Sequence, residues 1–405
     1  MGRFIIIVLD GFGVGEMPDV EKVRPADIGA NTCAHIYERV PDLRLPALES
    51  LGLGRLMGKT SASGMDRDAA CGRITLMHDG ADTFFGHQEI MGTRPKKPFG
   101  EPIANKLEAI RGALAAGGFA VRDYVRDGRG LLVVEEAVTV GDNIECDPGQ
   151  AFNVTAATDL IEFERVRAIG GLVRGVSVVP RVITFGGRGV KLDDLLAAVE
   201  VHGDYIGVNA PASGVYDRDY QCVHLGYGVD PAVQAPSILG KAGIPVFLLG
   251  KAADVIANPY GSSIPMVDTD RVLGETRKLL QRYKTGFFCA NVQETDLCGH
   301  GENAEEYARK LQIADRWIGR MLGELSDQDI LIVMADHGND PTIGHPHHTR
   351  ELVPLLVHSA GVNCKNLGIR PTLSDVGATA CAYFGVPAPE NGSSLLPLLK
   401  RPVVA

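Results

Sequence analysis

Apolar residues fall along this chain in short runs that end abruptly at polar or glycine-rich stretches. Phe4–Leu9, Pro245–Leu249, Gly286–Ala290 and Ile330–Met334 are runs of this kind. Unbroken apolar stretches bounded by turn residues predict strands buried on both faces. Between them the period changes. In Glu305–Leu325, the residues Leu311, Ala314, Ile318, Met321 and Leu325 recur every three or four positions, which predicts a helix with one apolar stripe. Strands alternating with helices argue for an α/β fold on a doubly wound, mostly parallel sheet.

The middle of the chain is patterned differently. Gly130–Val140 and Val176–Phe185 are β-rich, with helical stretches near Asn105–Ala116 and Leu192–Glu200. The simplest reading is an inserted α+β domain over 96–221 that divides a core made of 1–95 and 222–405. Two Pro- and Gly-rich segments, Thr93–Pro102 and Asn209–Gly214, are the expected linkers.

Composition narrows the function classes. The 405 residues are 45% hydrophobic and 22% charged, the profile of an ordinary globular chain of two domains. A formal net charge of −10 without a basic cluster argues against a nucleic-acid partner. The apolar runs are far shorter than the roughly 18 residues needed to cross a bilayer, so no membrane span is expected. The opening MGRFIIIVLDGFG reads as a first strand and not a signal peptide, because its apolar run ends at Asp10 with no small-residue cleavage site. Eight cysteines, at 33, 71, 146, 222, 289, 298, 364 and 381, are scattered without a C-x-x-C pair. They predict buried thiols in a reducing cytoplasm. Nothing in the sequence fixes the oligomeric state.

The candidate chemistry lies where the apolar runs stop. MADHGNDPTIGHPHHTRE, Met334–Glu351, packs four histidines, two aspartates and a glutamate into eighteen residues directly after a predicted strand. A polar loop after a strand is often a solvated connection. In an open α/β sheet, however, loops at the carboxyl ends of strands form the ligand crevice, and Asp336 and His337 stand first at that edge. Imidazole and carboxylate together make a mixed N/O ligand set for Zn²⁺, Mn²⁺ or Mg²⁺. Asp10 closes FIIIVLD ahead of GFGVG, a G-x-G-x-G spacing that does not fit a dinucleotide fingerprint. Asp296 and His300 follow another strand and share a face if helical, with Glu294 as a competing carboxylate. Thr83, in ADTFFGHQEIMG, stands where a helix would begin. It reads either as an N-cap or as a hydroxyl held at the positive end of a helix, where a phosphate attached to it would be favoured. Three aspartates, three histidines and a hydroxyl exceed the needs of one cation and suit two, the arrangement that clamps both oxygens of a phosphoryl transfer.

VLDGFGVGEMPD, DIGANTCAHI, ADTFFGHQEIMG, MADHGNDPTIGHPHHTREL and PENGSSLLPLL carry a further likeness. Through them the chain resembles, nearly end to end, the bacterial phosphopentomutases of the alkaline phosphatase superfamily, which also contains the cofactor-independent phosphoglycerate mutases. The resemblance implies an alkaline phosphatase-like core with an inserted cap, and two divalent ions, usually Mn²⁺. It assigns one ion to Asp10, Asp336 and His337 and the other to Asp296, His300 and His348. Thr83 falls at the nucleophile that carries the phosphoryl group. It leaves His345 and His347 without a role, as solvated side chains. Arg181 matches a cap arginine that faces substrate phosphate, with Arg218 or Lys251 as helpers.

The chain also departs from the family. It reads F-G-H-Q-E where T-G-H-W-E is usual, spaces Asp296 and His300 by four residues instead of five, and lacks a second cap arginine in a Phe-Thr-Arg-Thr context. The implied activity is phosphomutase transfer within a small phosphorylated substrate, a sugar phosphate. The rivals are a phosphatase on the same scaffold and a non-catalytic metal-binding protein.

Overall fold

A computed structural model describes residues 2–58, 65–145 and 148–399, so Cys146 of the cysteine reading lies outside the described residues. The chain divides into two compact units, Met1–Pro95 with Asp230–Ala405, and Lys96–Val229. In chain order the strands are β1 (Arg3–Leu9) and β2 (Ala69–Ile74); β3 (Val121–Arg126), β4 (Arg129–Val134), β5 (Val138–Asp142), β6 (Ala151–Ala157), β7 (Arg181–Gly187), β8 (Val199–His202), β9 (Tyr205–Val208) and β10 (Gln221–Gly226); then β11 (Val246–Leu249), β12 (Ser262–Ile264), β13 (Gly286–Val292), β14 (Ile330–Met334), β15 (Val353–Ser359) and β16 (Lys365–Arg370).

The first unit is an α/β core. Its eight-stranded sheet runs β12-β11-β13-β1-β14-β15-β2-β16. All neighbours are parallel except at β15, which is antiparallel to both β14 and β2, so β15 alone is reversed. Every residue of β1, β13 and β14 is buried, as continuous apolar central strands must be. The helices pack in two groups. Ala304–Leu322 lies against Thr32–Arg39, Pro46–Ser50 and Thr269–Arg282, while Ser374–Tyr383 lies against Thr83–Ile90 and Ala235–Lys241. The sheet between the two groups is therefore covered on both sides.

This topology gathers chemistry at one edge. The carboxyl ends of β1, β2, β11, β13 and β14 all open there. Because β15 is reversed, the whole connection 335–352 returns along the same edge before β15 begins.

The second unit is α+β. Its six-stranded sheet has the order β10-β7-β6-β5-β4-β3, with β6 and β7 parallel and the other pairs antiparallel. The helix Phe163–Val176 packs on β6, β7 and β10, and Leu107–Ala116 packs on β3, β4 and that helix. Together they close a separate apolar core. Two expectations need correcting here. Residues 222–229 belong to this unit and not to the core, because Gln221–Gly226 pairs with Gly186–Arg181. Asn209–Gly214 is a short helix capped by the Asn209 side chain and not a linker. The β-rich stretch Gly130–Val140 is a hairpin turned at Glu135 and Glu136, both at positive φ.

Candidate active site

The nucleophile candidate is placed by the residue before it. Thr83 opens the helix Thr83–Ile90, but the cap is Asp82, whose carboxylate accepts the Phe85 N–H at 3.0 Å. Thr83 is therefore free of capping duty, and its hydroxyl donates to Asp336 Oδ2 at 2.7 Å. Gly86 lets this helix come so close. A Cβ at Gly86 would stand 2.6 Å from the Asp336 carbonyl.

Asp10, Asp296, Asp336 and His337 are buried around this point. Two groups of donors come together, Asp10–Asp336–His337 and Asp296–His337–His348, with the ligand atoms of each group within 4.8 Å of one another. His337 thus stands between the two halves. Its Nε2 lies 3.3 Å from Asp10 Oδ1 and 3.3 Å from Asp336 Oδ2. His348 Nε2 lies 3.3 Å from Asp296 Oδ1 and 3.0 Å from His300 Nε2. Asp296 and His300 share the helix Glu294–His300, and His300 Nε2 is 3.5 Å from Asp296 Oδ2. Glu294 does not compete, because Lys310 Nζ at 2.6 Å and the Thr269 N–H hold it elsewhere.

The imidazoles are oriented as ligands. His300 Nδ1 faces the Pro346 carbonyl at 2.6 Å, His348 Nδ1 the Ala81 carbonyl at 2.9 Å, and His337 Nδ1 the Gly338 carbonyl at 2.8 Å. A carbonyl only accepts, so each Nδ1 carries the proton and each neutral ring is left with an Nε2 lone pair aimed into the cluster. Asp10 Oδ1 and His337 Nε2 are buried without a hydrogen-bond partner. Orphaned buried donors facing one another are what a cation would satisfy, so these residues fit a divalent ion.

Electrostatics keep the carboxylates of Asp336 and Asp296 charged. Burial opposes ionisation of Asp336, but His337, His87 and Lys251 around it hold its carboxyl well below the usual range. Burial also opposes the charge on Asp296, yet its bonds to His300 and His348 hold it low. Burial and the charge of His337 depress His348. Burial alone would depress His337 too, but Asp336 and Asp10 push it up to about 10.

Lys251 enters this cluster. It follows Gly250, whose φ of 67° and ψ of −149° suit only glycine and whose added Cβ would strike the Asn291 carbonyl. Its Nζ lies 2.9 Å from Asp10 Oδ2 and 3.3 Å from Asp296 Oδ2. The ammonium is thus set against the candidate ligands themselves. Arg181 begins β7 and is partly exposed. Arg218 lines, with Arg126 and Arg188, a cavity of about 740 Å³ in the insert that Arg181 does not line. Of the two histidines expected to be solvated, His347 is exposed, whereas His345 Nε2 stands 3.2 Å from buried Asp27.

Two residues of the site were not singled out in the sequence. His87, one turn after Thr83, faces the Thr83 carbonyl through Nδ1 and accepts from Asn291 Nδ2 at 2.9 Å through Nε2. Asn291 gives its other N–H to Asp10 Oδ2 at 3.0 Å. His87 lies in the F-G-H-Q-E stretch, but the departure there falls on Phe85 and Gln88 and not on the histidine, and nothing marked Asn291 inside an apolar run.

A family model for the Metalloenzyme superfamily matches residues 2–388. The phosphopentomutase of Syntrophotalea carbinolica is 31% identical over 396 residues, 94% of each chain. That of Anaeromyxobacter dehalogenans is 31% identical over 414 residues, 98% of this chain and 99% of its own. Among solved structures, a phosphoglycerate mutase of Leishmania mexicana superposes with a TM-score of 0.46 at 11% identity, covering 97% of both chains. The chain belongs to the Metalloenzyme superfamily, and the buried carboxylates and imidazoles at this sheet edge are a set that could hold a divalent metal. Within it the protein is a phosphopentomutase-like phosphomutase, a metal-dependent phosphotransferase.

Proposed function

We propose that the enzyme moves a phosphoryl group within a phosphosugar through phospho-Thr83. The observation that carries this reading is the Thr83 hydroxyl itself. It is released from capping by Asp82, placed at a helix N-terminus and bonded to Asp336 at 2.7 Å. A threonine hydroxyl is a weak nucleophile until its proton is taken. The proposed ligands are Asp10, Asp336 and His337 on one side and Asp296, His300 and His348 on the other, with His337 between the halves. Bound there, two divalent ions, Mn²⁺ by preference, would supply positive charge for the transferring group.

The chain's own residues do the rest. Phospho-Thr83 gives its phosphoryl group to a sugar hydroxyl, whose proton passes to the Thr83 oxygen as the new P–O bond forms and the old one breaks. The P–O bond to Thr83 breaks and leaves the threonine oxygen on Asp336's side of the site. Thr83 then takes the other phosphoryl group from the resulting bisphosphate, which restores phospho-Thr83. Lys251, against Asp10 and Asp296, offsets the negative charge of the carboxylates while the phosphates are exchanged. Arg181 and Arg218 of the insert are proposed to read the substrate's distal phosphate, which a guanidinium fork can hold through two parallel bonds. The test is a turnover screen of phosphosugars with Mn²⁺, pentose phosphates first because the relatives' name carries them, read for both isomer and free phosphate. Isomer formation supports the mutase. Free phosphate alone makes the enzyme a phosphatase, and no turnover of any phosphoester sinks the reading.

A further inference from the structure

The segment Leu76–Ala81, which joins β2 to the helix of Thr83, carries three carbonyls that converge on one side chain. Arg350 is 4% exposed, and its guanidinium uses all five of its N–H bonds. Nη2 donates to the Leu76 carbonyl at 3.3 Å, and Nη1 to the His78 carbonyl at 3.0 Å and to the Gly80 carbonyl. The other two bonds form a bidentate pair with Asp19, at 2.9 and 2.8 Å. The next carbonyl, Ala81, is taken by Nδ1 of His348, two residues from Arg350. The N–H groups of the segment face the opposite anchor. Met77 and His78 donate to Glu89, at 3.1 Å each, from within the nucleophile's own helix. Arg350 is held in turn through its backbone N–H, which Asp27 of DIGANTCAHI accepts at 2.7 Å.

From this arrangement we infer that Arg350 is a positioning residue for phosphoryl transfer: its fork fixes the segment before Thr83 in register with His348, so that the Thr83 hydroxyl and the metal-facing imidazole keep one geometry. The inference rests on Thr83 being the nucleophile. A guanidinium is required because its donors are coplanar and point to separate acceptors. An ammonium in its place is a single point with three donors and cannot span alternate carbonyls and Asp19 together.

The experiment compares wild type, Arg350→Lys, Asp19→Ala and Thr83→Ala on the phosphosugar that the wild type turns over fastest, alongside Mn²⁺ titration of each protein. A displacement of about 1 Å at a reacting group costs roughly a hundredfold in rate. Arg350→Lys should therefore lose about tenfold to a hundredfold in kcat, with KM within about twofold and the Mn²⁺ stoichiometry unchanged. Asp19→Ala, at a partly exposed position, should lose several-fold in kcat in the same pattern, and it decides the matter if Arg350→Lys does not fold. Wild-type kcat in a folded Arg350→Lys, or in Asp19→Ala where Arg350→Lys does not fold, overturns the inference, as does a kcat loss that tracks lost Mn²⁺. Thr83→Ala separates the two failures. If it is inactive while Arg350→Lys is not impaired, only the positioning role falls. If Thr83→Ala keeps wild-type turnover, the nucleophile reading falls first.

Discussion

Thr83 illustrates how a neighbour decides what a residue can do. With Asp82 as the cap, removing the Thr83 hydroxyl leaves the helix end intact and deletes one bond to Asp336. Thr83→Ala should change stability by about 1 kcal/mol, keep its metal, and lose phosphosugar isomerisation. Thermal denaturation, metal content and turnover check this together, and a wild-type rate would mean another nucleophile. His337 makes a prediction about pH. Asp336 and Asp10 push its ring up to about 10, so at neutral pH a proton on the ring competes with a metal. Mn²⁺ affinity should rise with pH, by about tenfold per unit while one proton is released. Calorimetry in buffers of different ionisation enthalpy measures that proton, and an affinity flat from pH 6 to 8 would contradict it. Arg181 is proposed to serve recognition. Arg181→Ala should cost about tenfold to a hundredfold in kcat/KM on the phosphosugar, the worth of one charge-assisted bond of about 1.5–3 kcal/mol. Turnover of a small phosphoester without a distal phosphate should not change. An equal loss on both substrates would make Arg181 a support of the insert only.

At the scale of elements, one buried carboxylate organises the insert. Asp142, at the end of β5, accepts the Ile103 N–H at 2.8 Å and the Ile206 N–H at 2.9 Å, joining the turn at 103–105 and β9 to the sheet. It is 0% exposed, and burial pushes its carboxyl up to about 6 despite the two N–H bonds. The folded state therefore binds its proton more tightly than the unfolded chain does, and this group's contribution to stability falls as pH rises from about 4 to 6. The stability difference between wild type and Asp142→Asn should shrink by on the order of 2 kcal/mol across that window. Chemical denaturation at several pH values measures it, and a constant difference would show that Asp142 titrates normally. The helical and strand periods were plain in the sequence. The edge strand β10 was not. Its residues are only half-buried, and it joins the insert through pairing with β7, which lies some forty residues earlier in the chain.

For the whole molecule, the governing feature is the reversal of β15 in an otherwise parallel sheet. It brings the candidate ligands on 335–352 back to the edge where β1 and β13 deliver Asp10 and Asp296. Protein reconstituted with excess Mn²⁺ should bind about two ions per chain, because the donors form two groups around His337. Asp336→Ala should lower that number, and chelation should abolish transfer and restore it on Mn²⁺ readdition. Metal analysis decides this, and a stoichiometry below one that Asp336→Ala leaves unchanged would rule out the two-ion site. Among the described residues no helix is long and apolar enough to cross a membrane.

The sequence alone determined the parts whose causes are local. Apolar runs specify buried strands, the residues that end them specify a polar edge, and Asp10, Asp296, Asp336 and His337 could be named from that rule, whereas His348 was implied only by the family resemblance. The tertiary structure decided what depends on residues far apart in the chain. It gave the cap to Asp82 and freed Thr83, shared His337 between two donor groups, set Lys251 among the carboxylates, and joined Arg350 to carbonyls more than 260 positions earlier. The physical reason is the same in each case. A side chain's period and neighbours fix its element, but its hydrogen-bond partners are chosen by which strand ends the sheet brings together.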